Sequence, residues 1–143
     1  MNNARKLNIL LVEDDDVAAE AVLRGLRRHA ENCQVTIAED GFTALQILRG
    51  QHETRRIGKP HLVMLDLNMP RMNGLEFLKE VRADADLRGT VVFILTTSDI
   101  ECDRVRAYEE GVAGYIVKAA CGPQCSRLAQ FVEDYHEVVR LPD

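Results

Sequence analysis

Five short apolar runs, interleaved with stripes of apolar residues at helical spacing, restrict this chain more than any other feature of its sequence. The runs 7–12, 62–65, 91–95 and 115–117 have strand length, and Val35-Thr36-Ile37 alternates instead. Continuous runs suit strands buried on both faces, whereas alternation suits an edge. Between them Ala19, Val22, Leu23 and Leu26 share one helix face, as do Gly74, Phe77, Leu78 and Val81, then Leu128, Phe131, Val132 and Tyr135. Shorter helices fit 42–49 and 101–110. Strand and helix thus alternate five times, which through right-handed crossovers builds a parallel sheet with helices on both faces. The expected class is α/β, a three-layer sandwich around a five-stranded sheet.

A chain of 143 residues with 46% hydrophobic content fills one core, so a single domain over 1–143 is expected, with its core at 7–139 and a short tail at 140–143. The polar stretch 51–60 reads as a surface loop before the third strand. A net charge of -5 without any lysine or arginine block argues against nucleic acid. The early apolar run 9–12 is far too short for a signal-peptide core or a membrane span, which predicts a cytoplasmic protein that does not touch membranes. Cys33, Cys102, Cys121 and Cys125 lack paired metal spacing and read as reduced thiols. His29, His52, His61 and His136 have no ligand spacing and receive no role.

Parallel α/β sheets bind ligands outside the carboxyl ends of their strands, and the residues at those positions are unusual here. Glu13, Asp14 and Asp15 follow the first run, Asp66 the third, Thr96 and Thr97 the fourth, and Lys118 the fifth. Each has an ordinary reading. Acids at 13–16 suit a helix cap and first turn, Asp66 ahead of Asn68 and Pro70 suits a turn, and Tyr115 suits a half-buried sheet aromatic. A carboxylate that directly ends a buried run is costly unless paired, however, which favours chemistry at Asp66. Acids sharing one crevice repel unless a cation neutralises them, and hard oxygen ligands favour magnesium. A carboxylate can attack phosphorus to form an acyl phosphate once metal and lysine offset the opposing charge. Thr96 offers a hydroxyl to a phosphoryl oxygen, and Lys118 a point charge on a long stem.

The sequence resembles the receiver domains of bacterial two-component systems. The resemblance lies in Ile9-Leu10-Leu11-Val12-Glu13-Asp14-Asp15, Leu65-Asp66-Leu67-Asn68-Met69-Pro70-Arg71-Met72-Asn73-Gly74, Leu95-Thr96-Thr97-Ser98 and Gly114-Tyr115-Ile116-Val117-Lys118. It implies a flavodoxin-like topology with strand order 2-1-3-4-5. It also implies Asp66 as phospho-acceptor, Asp14 as a direct ligand of magnesium or manganese, Glu13 as a ligand through water, and the Asn68 carbonyl as a further ligand. Thr96 and Tyr115 would form a switch pair that alters the face built from helix four, strand five and helix five. One departure stands out: the family's lysine is followed by proline in a cis peptide, and here Ala119 follows Lys118. A cis bond before a non-proline residue costs about 2.5–4 kcal/mol, so this loop is expected to be strained or differently routed.

The loop before the third strand and the ending Glu133-Asp134-Tyr135-His136-Glu137-Val138-Val139-Arg140-Leu141-Pro142 look like the stand-alone regulators paired with bacterial phytochromes. That narrower likeness implies a sensor histidine kinase of light-sensing type as partner, and a homodimer. The few residues after the last helix are too few for a DNA-binding output domain, so output by docking is expected. Two rivals remain. A phosphatase of the haloacid-dehalogenase type would need a second aspartate two residues after the nucleophile, where this chain has Asn68, and residues for a cap domain. A degenerate receiver that docks without phosphorylation is opposed by Asp14, Asp66 and Thr96, and is kept open by Ala119.

Overall fold

The structure, a computed structural model, describes residues 6–30, 32–59 and 61–142. Its elements run β1 (Leu7–Val12), α1 (Asp16–His29), β2 (Cys33–Ala38), α2 (Gly41–Leu48), β3 (His61–Leu65), α3 (Gly74–Ala83), β4 (Val92–Thr96), α4 (Glu101–Glu109), β5 (Gly114–Val117) and α5 (Ser126–Val138). Two short 3-10 turns, Lys118–Ala120 and Pro123–Cys125, link β5 to α5. All strand pairs are parallel, in the order β2-β1-β3-β4-β5. No helix among the described residues is long and apolar enough to cross a membrane.

Period-two alternation along the strands splits the core into two layers. Leu10, Val12, Val63, Leu65, Val92 and Ile94 face α2, α3 and α4, where Leu45, Ile47, Phe77, Leu78, Val81 and Ala107 meet them. Leu7, Ile9, Leu11, Leu62, Met64, Phe93 and Leu95 face α1 and α5, where Ala19, Val22, Leu26, Leu128 and Val132 close the other layer. Asp15, Asp40 and Asn73 cap α1, α2 and α3 with their side chains, and Asn73 forms a reciprocal capping box with Glu76.

The alternating run is β2, and it lies at an edge as expected. Two expectations need correction. The continuous run at 115–117 belongs to β5, which is an edge strand half-buried along its whole length rather than covered on both faces. Thr96 lies inside β4, paired with Val117 on β5, rather than following the strand. Both differences arise because ladder pairing and edge position depend on neighbours that periodicity does not record. Three stripe residues also stand partly free: Leu23 and Tyr135 are half-buried, and Phe131 is 40% exposed. The loop ahead of β3 is largely exposed, with Ile57 packed on the core; Pro60 and the side chain of His29 lie outside the described residues. Arg55 from this loop donates to the Ile37 carbonyl of β2 at 2.7 Å and pairs with Glu39, so it covers one end of the sheet edge.

Candidate functional site

The parallel ladder delivers four strand ends to one rim. At the end of β1, Glu13 is buried, Asp14 is exposed, and Asp15 turns away to cap α1 through the amides of Val17 and Ala18 at 2.9 and 3.2 Å. At the end of β3, the Asp66 amide still donates to the Val12 carbonyl at 3.0 Å, which fixes the buried Asp66 side chain beside the end of β1. Carboxylate oxygens of Glu13, Asp14 and Asp66 all lie within 4.8 Å of one another, the spacing one cation requires to be shared. Thus three acids, two from the end of β1 and one from the end of β3, do converge.

The charge of this pocket is under-compensated. Burial, foremost, holds the Glu13 carboxyl above its ordinary value, and the Asp66 charge adds to that; the Lys118 ammonium opposes both. Lys118 Nζ donates to Glu13 Oε1 at 2.5 Å, and the Asp15 amide donates to Glu13 Oε2 at 3.3 Å. Both Glu13 oxygens are therefore engaged by the chain's own donors, whereas Asp14 is exposed. That division fits a divalent cation held directly by Asp14 and Asp66, with Glu13 further out. Asn68 stands at the mouth of the pocket, exposed, with its amide donating to Asp66 Oδ1 at 3.3 Å.

Lys118 reaches the pocket although Ala119 follows it. The chain turns at once into the 3-10 turn Lys118–Ala120, closed by the Cys121 amide on the Lys118 carbonyl at 3.1 Å. It then passes through Gly122, Gln124 and Cys125 at φ of 79°, 53° and 59°. The loop thus places two consecutive non-glycine residues, Gln124 and Cys125, in the strained left-handed region, and it settles onto α1 at Gly25, where an added Cβ would stand 2.7 Å from Cys125 Cβ.

Thr96 is fully buried, its hydroxyl oxygen accepting from the Ser98 amide at 3.3 Å. Tyr115 does not enter the pocket. Its ring packs on the core, and its hydroxyl donates to the Ser98 carbonyl at 3.0 Å. Thr96 and Tyr115 consequently meet through Ser98, a link no spacing rule announces. Ser98 Oγ in turn donates to Asp103 Oδ2 at 2.9 Å, tying the segment to α4. Of the histidines given no role, His52 folds its own loop by accepting from the amides of Thr54 and Arg55 at 3.2 and 3.0 Å.

Residues 9–128 match the family model described as response regulator receiver domain. Response regulator Rcp1 of Synechocystis sp. is 34% identical over 135 residues, 94% of this chain and 92% of Rcp1. The crystal structure of the Mn(2+)-bound form of Rcp1 has a TM-score of 0.80 at 33% identity, covering 95% of this chain and 99% of that one. The phosphorylated cyanobacterial phytochrome response regulator RcpA has a TM-score of 0.82 at 30% identity, covering 98% of this chain and all (100%) of that one.

Proposed function

The chain belongs to the response regulator receiver domain family, and from that premise we propose that it is a single-domain response regulator, one receiver over 1–143, that accepts a phosphoryl group on Asp66. The convergence of Glu13, Asp14 and Asp66 within 4.8 Å, with Lys118 on Glu13, carries this reading. A divalent cation bound there, magnesium or manganese, would supply Lewis-acid charge to the phosphoryl oxygens. The chain's own residues do the rest. Asp14 and Asp66 would hold that cation directly, Glu13 would support it through water, and the Asn68 carbonyl would add a further ligand. An Asp66 oxygen attacks phosphorus, forming a P–O bond while the P–N bond of a partner's phosphohistidine breaks and the imidazole leaves. The Thr96 hydroxyl and the Lys118 ammonium receive the charge on the phosphoryl oxygens.

In this reading the chain is a signalling module and its only chemistry is on itself. Tyr115, joined to Thr96 through Ser98, carries the change to the face of α4, β5 and α5. The donor is a sensor histidine kinase of light-sensing type, an assignment supported by the likeness to a phytochrome response regulator. Phe131 and Val138, 40% and 78% exposed on α5, supply apolar surface for a homodimer.

The test is intact mass before and after incubation with acetyl phosphate, with and without magnesium, on wild type and Asp66→Asn. Wild type gains one phosphoryl group only with magnesium, and Asp66→Asn gains none. A wild type that stays unmodified where another receiver is modified would instead favour a degenerate docking module.

A further inference from the structure

The segment from Asp66 to Gly74 leaves β3 and returns to α3 through a narrow neck. The Gly74 amide donates to the Leu67 carbonyl at 3.0 Å, and a Cβ on Gly74 would stand 2.7 Å from both the Asp66 carbonyl oxygen and Leu67 Cα. Beyond the neck Met69 is buried in the core at 8% exposure, so the tip that follows it, residues 70–72, is the part left for other contacts to fix. This tip is held by two consecutive residues. Arg71 Nη2 pairs with Asp40 Oδ2, and the Met72 side chain lies on Gly41, where a Cβ would stand 2.8 Å from the sulfur.

The partner of Arg71 is itself fixed. Asp40 has a side chain only 8% exposed and caps α2 by accepting from the Thr43 amide at 2.8 Å. Arg71, by contrast, adopts φ 63°, a left-handed conformation that a glycine would take without steric cost. A non-glycine residue persists there when its surroundings over-determine it, and the surroundings here are the Asp40 carboxylate and the Met72 seat. What the arginine contributes over glycine is its side chain. Asn68 sits between the core-buried Leu67 and Met69, and tethering the tip just beyond Met69 narrows further where the Asn68 carbonyl can lie.

We propose that the Arg71–Asp40 pair is a strut that fixes the Asn68 arm of the loop and thereby sets the metal affinity of the carboxylate pocket. Arg71 and Asp40 are positioning residues, and the inference rests on the reading of that pocket as a metal and phosphoryl site. Magnesium and manganese hold ligands in a near-octahedral shell, so an oxygen that wanders contributes little. Residues that orient metal ligands act on metal affinity or on activity, and a strut that touches only the loop behind Asn68 acts on the first.

The experiment uses Arg71→Gly, which removes the strut but suits the backbone, Asp40→Asn, which keeps a capping side chain but removes the charge, and Arg71→Lys, which keeps a cation. Manganese binding is measured from the free Mn(2+) resonance signal, beside thermal unfolding without metal and the acetyl phosphate reaction across metal concentrations. The strut predicts that Arg71→Gly and Asp40→Asn bind manganese about tenfold more weakly, with Arg71→Lys recovering part of the loss. At saturating metal their phosphorylation rates return to the wild-type value, a separation that loss of folding would not produce. Wild-type affinity in Arg71→Gly and Asp40→Asn overturns the strut while leaving the site reading intact. A wild type that neither binds manganese nor takes up phosphoryl overturns both.

Discussion

Lys118 and Glu13 satisfy each other through a hydrogen bond of 2.5 Å, and the arrangement sets what each is free to do. A divalent cation would compete with the ammonium for the same pocket of carboxylates, so under the proposed function the lysine would lower rather than raise metal affinity while supplying charge to a phosphoryl group. Lys118→Met is therefore expected to bind manganese at least as tightly as wild type while its reaction with acetyl phosphate slows about 100-fold. Weaker metal binding with an unchanged rate would show that the lysine organises the pocket rather than serving the phosphoryl group. At this scale the sequence was informative where charge interrupts burial. Glu13, Asp14 and Asp66 stand directly after apolar runs, and that position is visible without coordinates. The contacts of Ser98, Asp40 and Arg71 were not legible, because each is made to a partner distant in sequence: Tyr115 is 17 residues from Ser98, and Arg71 is 31 from Asp40.

Among the helices, α4 has the weakest apolar anchorage. Ala107 is its one buried residue, while Val105 and Tyr108 are both 51% exposed. Its carboxyl end is held instead by Arg82 of α3, whose guanidinium donates to the carbonyls of Glu110 and Gly111 at 2.6 and 3.1 Å. The same group donates to Arg88 and Thr90 carbonyls at 2.9 and 2.8 Å, so one side chain joins α3, the turn before β4 and the end of α4. Hydrogen bonds from a charged donor contribute about 1.5–3 kcal/mol each, less where water reaches the acceptor, so Arg82→Met should cost about 2–4 kcal/mol in denaturant unfolding. Amide exchange should rise in α4 more than in α1. A loss below about 0.5 kcal/mol, the range of ordinary surface substitutions, would mean that α4 is held elsewhere. Such a tie could not be read from the sequence, where Arg82 looks like any polar residue on the outer face of a helix. Helix existence, by contrast, was local information: the stripe Gly74, Phe77, Leu78 and Val81 is buried as its spacing predicts. The edge status of β5 was not, since a short apolar run carries no mark of how many neighbours it will have.

Across the molecule, the alternation of strand and helix made the layered sheet legible, whereas the order 2-1-3-4-5 entered through family resemblance rather than periodicity. That order is what brings β1 and β3 together and so concentrates charge at one rim. The fold therefore carries an electrostatic cost at its functional end, and metal binding should appear as stability of the entire sheet, because β1 and β3 are its centre. A ligand bound only by the native state at 100 times its dissociation constant adds about 2.7 kcal/mol. For a domain of this size that is a rise in Tm of about 8 °C, measurable by calorimetry with and without magnesium. Asp14→Asn separates the two effects. It removes one of the three converging charges, so the metal-free protein should unfold at a higher temperature than wild type, yet it weakens the site, so most of the magnesium-dependent rise should disappear. Opposite signs in one variant are hard to obtain from general damage to the fold. An Asp14→Asn protein that keeps the full magnesium shift would place the cation elsewhere, and one destabilised without metal would mean that Asp14 serves the fold rather than the ion.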